Sequence, residues 1–188
     1  MLFLCSKPEA TFAKAVVDGH AELFDSVLKS PDRGFYQVPY SYKPTDKGTS
    51  HVQRENFNPD FILKVNGQNR LLIVEIKEDN DSDRKNQAKH RDATAHFRQL
   101  NAMLNDNGID WTYHFYFLSP EDYSPFFQAI RDGNWAWQSQ LMQQLEGGGM
   151  HERNMDIGYL SRSNREGEPR LPCPKRLGRR HKAGDCGA

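Results

Sequence analysis

Cysteine is scarce in this chain, and long apolar runs are missing. Its 188 residues include three cysteines, Cys5, Cys173 and Cys186. These are too few and too scattered for the disulfide framework of a small secreted domain, so a reducing compartment is expected. No apolar run approaches the roughly 20 residues of a membrane-spanning helix, and the opening Met1-Leu-Phe-Leu-Cys5 is too short for the apolar region of a signal peptide. The expectation is a soluble, cytoplasmic protein. Charge of one sign is lacking too, since 25 Lys/Arg balance 25 Asp/Glu. The balance is uneven along the chain: residues 1–146 carry 16 Lys/Arg against 20 Asp/Glu, a formal −4, and residues 147–188 carry 9 against 5, a formal +4. A nucleic-acid enzyme of this composition needs local basic surface rather than a basic body. The phosphate-binding pattern Gly-x-x-x-x-Gly-Lys-Ser/Thr is absent, which excludes a nucleotide-driven motor of that kind on this chain.

What is present is a charged hairpin. Asn58-Pro-Asp-Phe-Ile-Leu-Lys-Val65 and Arg70-Leu-Leu-Ile-Val-Glu-Ile-Lys77 are strand-like runs joined by Asn66-Gly-Gln-Asn69, a turn-forming loop. A symmetric four-residue loop pairs Val65 with Arg70 and therefore sets Asp60 opposite Glu75, with Cβ atoms roughly 4.5–5.5 Å apart. Lys77, two residues on, shares that face. Opposed like charges destabilise a hairpin, and a Leu/Ile/Val strand has little reason to end in Glu and Lys. A divalent cation held between the carboxylates removes the conflict. Leu72, Val74 and Ile76 make one apolar face and Leu71 and Ile73 begin the other, so the strand is buried on both sides and becomes polar only at its carboxyl end, where open α/β sheets bind ligands.

Around the hairpin, Ser6-Lys-Pro-Glu9 suits a helix start, and Phe12, Ala15, Val16, Leu23, Phe24, Val27 and Leu28 predict a helix to about Lys29, weakened at Gly19. Residues 30–34 read as a turn and 35–42 as a strand, with Pro39 marking an edge or bulge. Residues 43–56 are polar and aperiodic, which predicts an exposed loop. After an acidic loop, a helix is predicted over 84–105, its face running Asn86, Lys89, Ala93, Phe97, Leu100 and Leu104. A strand over 111–118 follows, then a helix opened by Ser119-Pro-Glu-Asp, then a last helix holding Trp135, Trp137, Leu141 and Leu145. The fold expected for residues 1–146 is α/β: a small mixed central sheet, an antiparallel meander plus a strand after a crossover helix, flanked by helices. Residues 147–188, rich in Gly and Arg, have too few apolar residues to fold alone and are expected to be disordered. Their basic cluster, Arg170 to Lys182, suits either non-specific nucleic-acid contact or a solvated tail. Cys173, His181 and Cys186 lack the paired spacing of a zinc site, and His51, His90, His96 and His114 read as surface or satisfied core residues.

Pro59-Asp60, fourteen further residues, then Glu75-Ile76-Lys77 resembles the PD-(D/E)xK nuclease superfamily. Ser6-Lys-Pro-Glu9, Lys29-Ser-Pro-Asp-Arg-Gly-Phe35, Pro39-Tyr-Ser-Tyr-Lys43, Phe57-Asn-Pro-Asp-Phe61 and Val74-Glu-Ile-Lys77 are similar to the nuclease domain associated with type III restriction and DEAD/DEAH-type helicase proteins. The resemblance spans about residues 6–145. It implies a restriction-endonuclease-like fold and a Mg²⁺-dependent (or Mn²⁺-dependent) endonuclease acting on DNA in restriction or genome defence. Asp60, Glu75 and the Ile76 carbonyl would ligate the metal, Glu9 would hold a second metal or orient a water, and Lys77 would orient the attacking water or stabilise phosphate charge. Lys89, Lys85 and Asn86 would contact phosphate, and a helicase or translocase partner would sit on a separate chain. The alternative is a catalytically inactive module that keeps the nuclease fold for nucleic-acid binding or assembly.

Overall fold

A computed structural model describes residues 6–31, 34–44 and 51–147. The chain divides into one unit over residues 1–153, which holds every described residue, and another over 154–188. All of the expected tail beyond residue 147, its basic cluster and all three cysteines lie outside the described residues.

Helix α1 (Lys7–Gly19) is capped by the Ser6 hydroxyl, which accepts from the Glu9 N–H, with Pro8 in the first turn. It stops at Gly19, well short of the predicted end. A 3₁₀ turn, Ala21–Leu23, leads into strand β1 (Phe24–Lys29). This corrects the reading of Phe24, Val27 and Leu28 as helical core. Only Phe24 is buried; Val27 and Leu28 stand 43% and 44% exposed on an outer strand. Their three- and four-residue spacing was not a buried stripe. What decides the conformation is pairing, since β1 runs antiparallel to the first hairpin strand from Phe24↔Val65 to Lys29↔Phe61, with a bulge between Phe24 and Ser26.

Strand β2 (Val38–Tyr42) pairs antiparallel with β3 (Gln53–Phe57) in a separate two-stranded ribbon. Residues 53–57 are therefore a strand where a loop was expected, and 45–50 lie outside the described residues. Polar pairing holds this ribbon together. Tyr40 faces Glu55 and donates to its carboxylate at 2.6 Å, and Tyr42 donates to the same group at 3.1 Å. Pro39, at the edge as expected, sits opposite Asn56.

The hairpin forms as predicted. Strands β4 (Phe61–Val65) and β5 (Arg70–Ile76) pair from Phe61↔Val74 to Lys64↔Leu71, the register of a symmetric loop. Helix α2 (Arg84–Asp106), capped by Asp83, carries the chain over to β6 (Thr112–Leu118), which is parallel to β5. A short 3₁₀ turn, Pro120–Asp122, then precedes α3 (Tyr123–Arg131), and residues 140–147 are helical. Trp135 and Trp137 precede that last helix rather than belonging to it.

The fold is thus mixed α/β, with a four-stranded sheet in the order β1-β4-β5-β6 beside a two-stranded one. The meander's first strand is β1, not residues 35–42. One sheet face meets α1 and α3: Phe12 packs on Phe61, Tyr123, Phe126 and Phe127 with ring centroids 5.1–6.0 Å apart, and Tyr116 packs on Phe126. On the other face α2 sets Phe97 against Phe115, 5.7 Å between centroids, and buries Ala93. Of the predicted face of α2, Asn86, Ala93 and Phe97 are buried, and Lys89, Leu100 and Leu104 are half-buried. Tyr36 stacks on Phe97 and Trp137 packs against Phe126, so these aromatics serve packing. No described helix is long and apolar enough to cross a membrane.

Phe12 is fully buried at the centre of its aromatic cluster, so Phe12→Ala should cost about 3–5 kcal/mol. Urea unfolding followed by circular dichroism measures this, and a loss well under 1 kcal/mol would show that α1 does not depend on this contact.

Candidate functional site

One end of the main sheet gathers charge from five elements. Asp60 immediately precedes β4, Glu75 lies near the end of β5 with Lys77 just beyond it, and Lys29 ends β1. Glu9 comes from the first turn of α1 and Lys89 from the second turn of α2. The hairpin register carries Asp60 beyond the last paired residue of β4, to the level of Glu75 and Ile76. There its Oδ2 accepts from the Ile76 N–H at 2.7 Å. Because the N–H and C=O of one strand residue point to the same neighbour, the Ile76 carbonyl is directed to the Asp60 side as well. The Lys77 N–H turns the other way, to the Leu118 carbonyl of β6 at 2.9 Å.

The side chains form two linked ion-pair groups. Glu75 Oε1 lies 2.8 Å from Lys77 Nζ and 3.2 Å from Lys89 Nζ. Lys29 Nζ lies 3.0 Å from Glu9 Oε2 and 3.5 Å from Asp60 Oδ1. Glu9 is further tied by the Ser6 hydroxyl, which donates to its Oε1 at 2.9 Å. Aromatic faces wall in the lysines: Lys89 Nζ sits 5.1 Å from the Phe57 ring centre and 5.9 Å from that of Tyr40, and Lys29 Nζ 5.3 Å from Phe61. Glu75 is almost wholly buried, yet its Oε2 has no hydrogen-bond partner among the described residues. An orphaned buried carboxylate oxygen is costly unless something outside the chain meets it.

Burial pushes the Asp60 carboxyl up to about 7, with the Glu75 and Glu9 charges adding to the effect and the Ile76 N–H and Lys29 opposing it. Burial works against the charge of Lys77 and of Lys29. Glu75 outweighs it for the first, and Glu9 with Asp60 for the second, so both ammoniums are held above their ordinary value.

Of the residues expected at the site, Asp60, Glu75, Lys77, Glu9 and Lys89 are brought to this one end of the sheet. Lys85 is not among them. It pairs with Glu55 at 2.8 Å and lies over Tyr42, with the ribbon. Asn86 is buried, and its amide donates to the Asp81 carbonyl at 3.1 Å, securing the loop before α2 rather than offering itself to a ligand. Lys29 was missed as a site residue, as were the rings of Tyr40 and Phe57. A strand reading of residues 24–29 would have found Lys29, since antiparallel pairing with β4 sets it opposite Phe61 and beside Asp60. Among the histidines, His96 bonds Tyr36 and His114 bonds Arg70, whereas buried His90 keeps an unpartnered Nε2 against Phe115 and Phe117.

Among the described residues, no group of three or more His, Cys, Asp or Glu side chains is arranged to hold a metal ion. A metal here would have two side-chain ligands, Asp60 and Glu75, with a backbone carbonyl and water making up the rest. Such a hard-oxygen, water-rich set suits Mg²⁺. The free Glu75 Oε2 and the crowding of negative charge on Asp60 both fit it.

The chain matches no protein-family model, no curated protein and no solved structure.

The raised Asp60 value makes the metal-free protein pH-sensitive. Between about pH 4 and pH 7 the folded chain keeps a proton on Asp60 that the unfolded chain has lost, so stability falls as pH rises through that window and levels off above it. The fall should be on the order of 2–4 kcal/mol, and Asp60→Asn should flatten it. Urea unfolding in EDTA at about pH 4.5 and pH 8 checks both, and an equal slope in the variant would assign the effect elsewhere.

Proposed function

We propose that this chain is a Mg²⁺-dependent endonuclease that hydrolyses DNA phosphodiester bonds in restriction or genome defence. The observation that carries the reading is the buried, unpartnered Oε2 of Glu75, at the sheet end where Asp60 accepts from the Ile76 N–H and where Lys77 pairs with the same Glu75 carboxylate. The antiparallel pair followed by a crossover helix and a parallel strand supports a restriction-endonuclease-like core.

Asp60, Glu75 and the Ile76 carbonyl would hold the metal. When bound, it supplies positive charge against the phosphate and lowers the pKa of a bound water. The protein's own groups divide the remaining work. Lys77 stays protonated at neutral pH, because Glu75 holds its proton, so it acts as a donor and not as a base. About one fifth of its side chain is exposed, so its ammonium can meet an attacking water or a non-bridging phosphate oxygen and stabilise the charge that develops there. Lys89, held against Phe57 and Tyr40, adds positive charge on the α2 side and is placed to position a phosphate. The Asp60–Ile76 hydrogen bond fixes the ligand geometry before substrate arrives, which favours a preorganised site. Asp60→Ala would remove the ligand and this tie together. A helicase or translocase motor, if the chain works with one, would be supplied by a separate polypeptide.

Purified wild type should nick or cut DNA with Mg²⁺ or Mn²⁺ and not in EDTA. Lys77→Ala should lose about 100-fold or more in rate, with an unchanged circular dichroism spectrum. Single- and double-stranded DNA and RNA are compared side by side, with Asp60→Ala as the second variant. Unchanged metal-dependent cleavage by Lys77→Ala sinks the assignment of Lys77. Binding without cleavage in either metal favours the inactive nuclease-fold module, and preferential cutting of RNA reassigns the substrate.

A further inference from the structure

Resting on that metal reading, we propose that Lys29 is a built-in cation. Its ammonium fills the place between Glu9 and Asp60 that a second divalent ion would need, so the chain takes a single ion, shared by Asp60 and Glu75.

The placement is built into the fold. Lys29 pairs with Phe61 in the β1–β4 ladder, which sets its side chain beside Asp60. The next residue locks the register, as the Ser30 N–H donates to the Asp60 carbonyl at 2.9 Å. The ammonium then lies 3.0 Å from Glu9 Oε2 and 3.5 Å from Asp60 Oδ1, and the side chain is only 12% exposed. Its head rests against the Phe61 ring, so it has little room to swing away into solvent. Glu9, whose other oxygen is taken by the Ser6 hydroxyl, has no oxygen left to offer a metal unless Lys29 leaves.

Glu75 differs on this point. Both of its lysine partners approach Oε1, and Oε2 is left free. Glu9 Oε2 likewise makes no hydrogen bond, but the Lys29 ammonium lies 3.0 Å from it, whereas both lysines beside Glu75 sit against Oε1; a cation is therefore already in place on the Glu9 side and not at Glu75 Oε2. A divalent ion between Glu9 and Asp60 would share its carboxylates with an ammonium at contact distance, and the two cations would repel across a poorly solvated gap. The lack of any three-carboxylate arrangement among the described residues agrees with this division.

Counting bound Mn²⁺ tests the proposal without reference to activity. Full-length protein is titrated with Mn²⁺, and free ion is read by electron paramagnetic resonance. Wild type should bind one ion per chain. Lys29→Met, which keeps the stem over Phe61 and removes the charge, should bind two, a twofold rise, and adding Glu9→Gln to it should restore one. Lys29→Gln repeats the test should the Met variant lose its fold, and the wild-type count stands by itself. Two ions in wild type overturn the built-in cation and leave the metal reading standing. One ion in folded Lys29→Met or Lys29→Gln also overturns it. No ion in wild type overturns the metal reading and this inference with it.

Discussion

Burying carboxylates at the end of a sheet is possible only with compensating positive charge close by, and this constraint organises the molecule. Asp60, Glu75 and Glu9 converge from three elements, and Lys29, Lys77 and Lys89 meet them from three positions. Removing one member of such a buried group leaves an uncompensated charge, which costs more than the pair contributed. The compensation is incomplete: Glu75 Oε2 and Glu9 Oε2 make no hydrogen bond, although Lys29 lies 3.0 Å from the latter. Burial, with the Glu75 and Glu9 charges adding to it, pushes the Asp60 carboxyl up to about 7. A purely structural ion-pair network has no use for either feature. Both fit the cation-binding reading proposed above.

The layers exist to hold those groups in place. On one face α1 is fastened to α3 by the Phe12 cluster and by the Tyr123 hydroxyl, which donates to the Pro8 carbonyl at 3.0 Å, one residue before Glu9. On the other face α2 is anchored by Phe97 on Phe115, and the Ser41 N–H of the ribbon donates to Asp92 at 2.8 Å. The ribbon in turn supplies the rings of Tyr40 and Phe57 that confine Lys89. The two-stranded sheet, which contributes nothing to the four-stranded one, thus reaches the site through α2.

The hairpin was legible because local chemistry specifies it: alternating apolar residues on either side of a loop in which Gly67 takes a φ of +64°. A single register then carried Asp60 to Glu75. Helix α2 and strand β6 were legible for similar reasons, a face repeating at steps of three and four from Asn86 to Leu104 and a continuous aromatic run. Strand β1 was not, because Leu23, Phe24, Val27 and Leu28 satisfy a helical spacing while the strand that begins at Phe24 buries only Phe24 among its own residues. Strand β3 was hidden for a different reason. Its stability lies in Tyr40–Glu55 and Tyr42–Glu55 hydrogen bonds, which polar sequence alone does not announce. Lys29 follows from the first of these failures, since a residue at the end of a helix has no defined neighbour in β4.

The asymmetry between the two carboxylates decides how a cation could enter. At Glu75, Lys77 and Lys89 converge on one oxygen, so an ion approaching the other would displace neither ammonium. At Asp60, Oδ2 is already oriented by the Ile76 N–H and Oδ1 faces Lys29 at 3.5 Å, a longer contact than that between Lys29 and Glu9. An ion held by Asp60 would therefore compete with Lys29 at the longer of its two contacts, not at the shorter one to Glu9. It would also favour loss of the Asp60 proton, because a cation beside a carboxyl stabilises its charged form. In the proposed one-ion arrangement, occupancy would thus favour loss of the Asp60 proton at the expense of the Lys29–Asp60 contact alone, with the Lys29–Glu9, Lys77–Glu75 and Lys89–Glu75 pairs left in place.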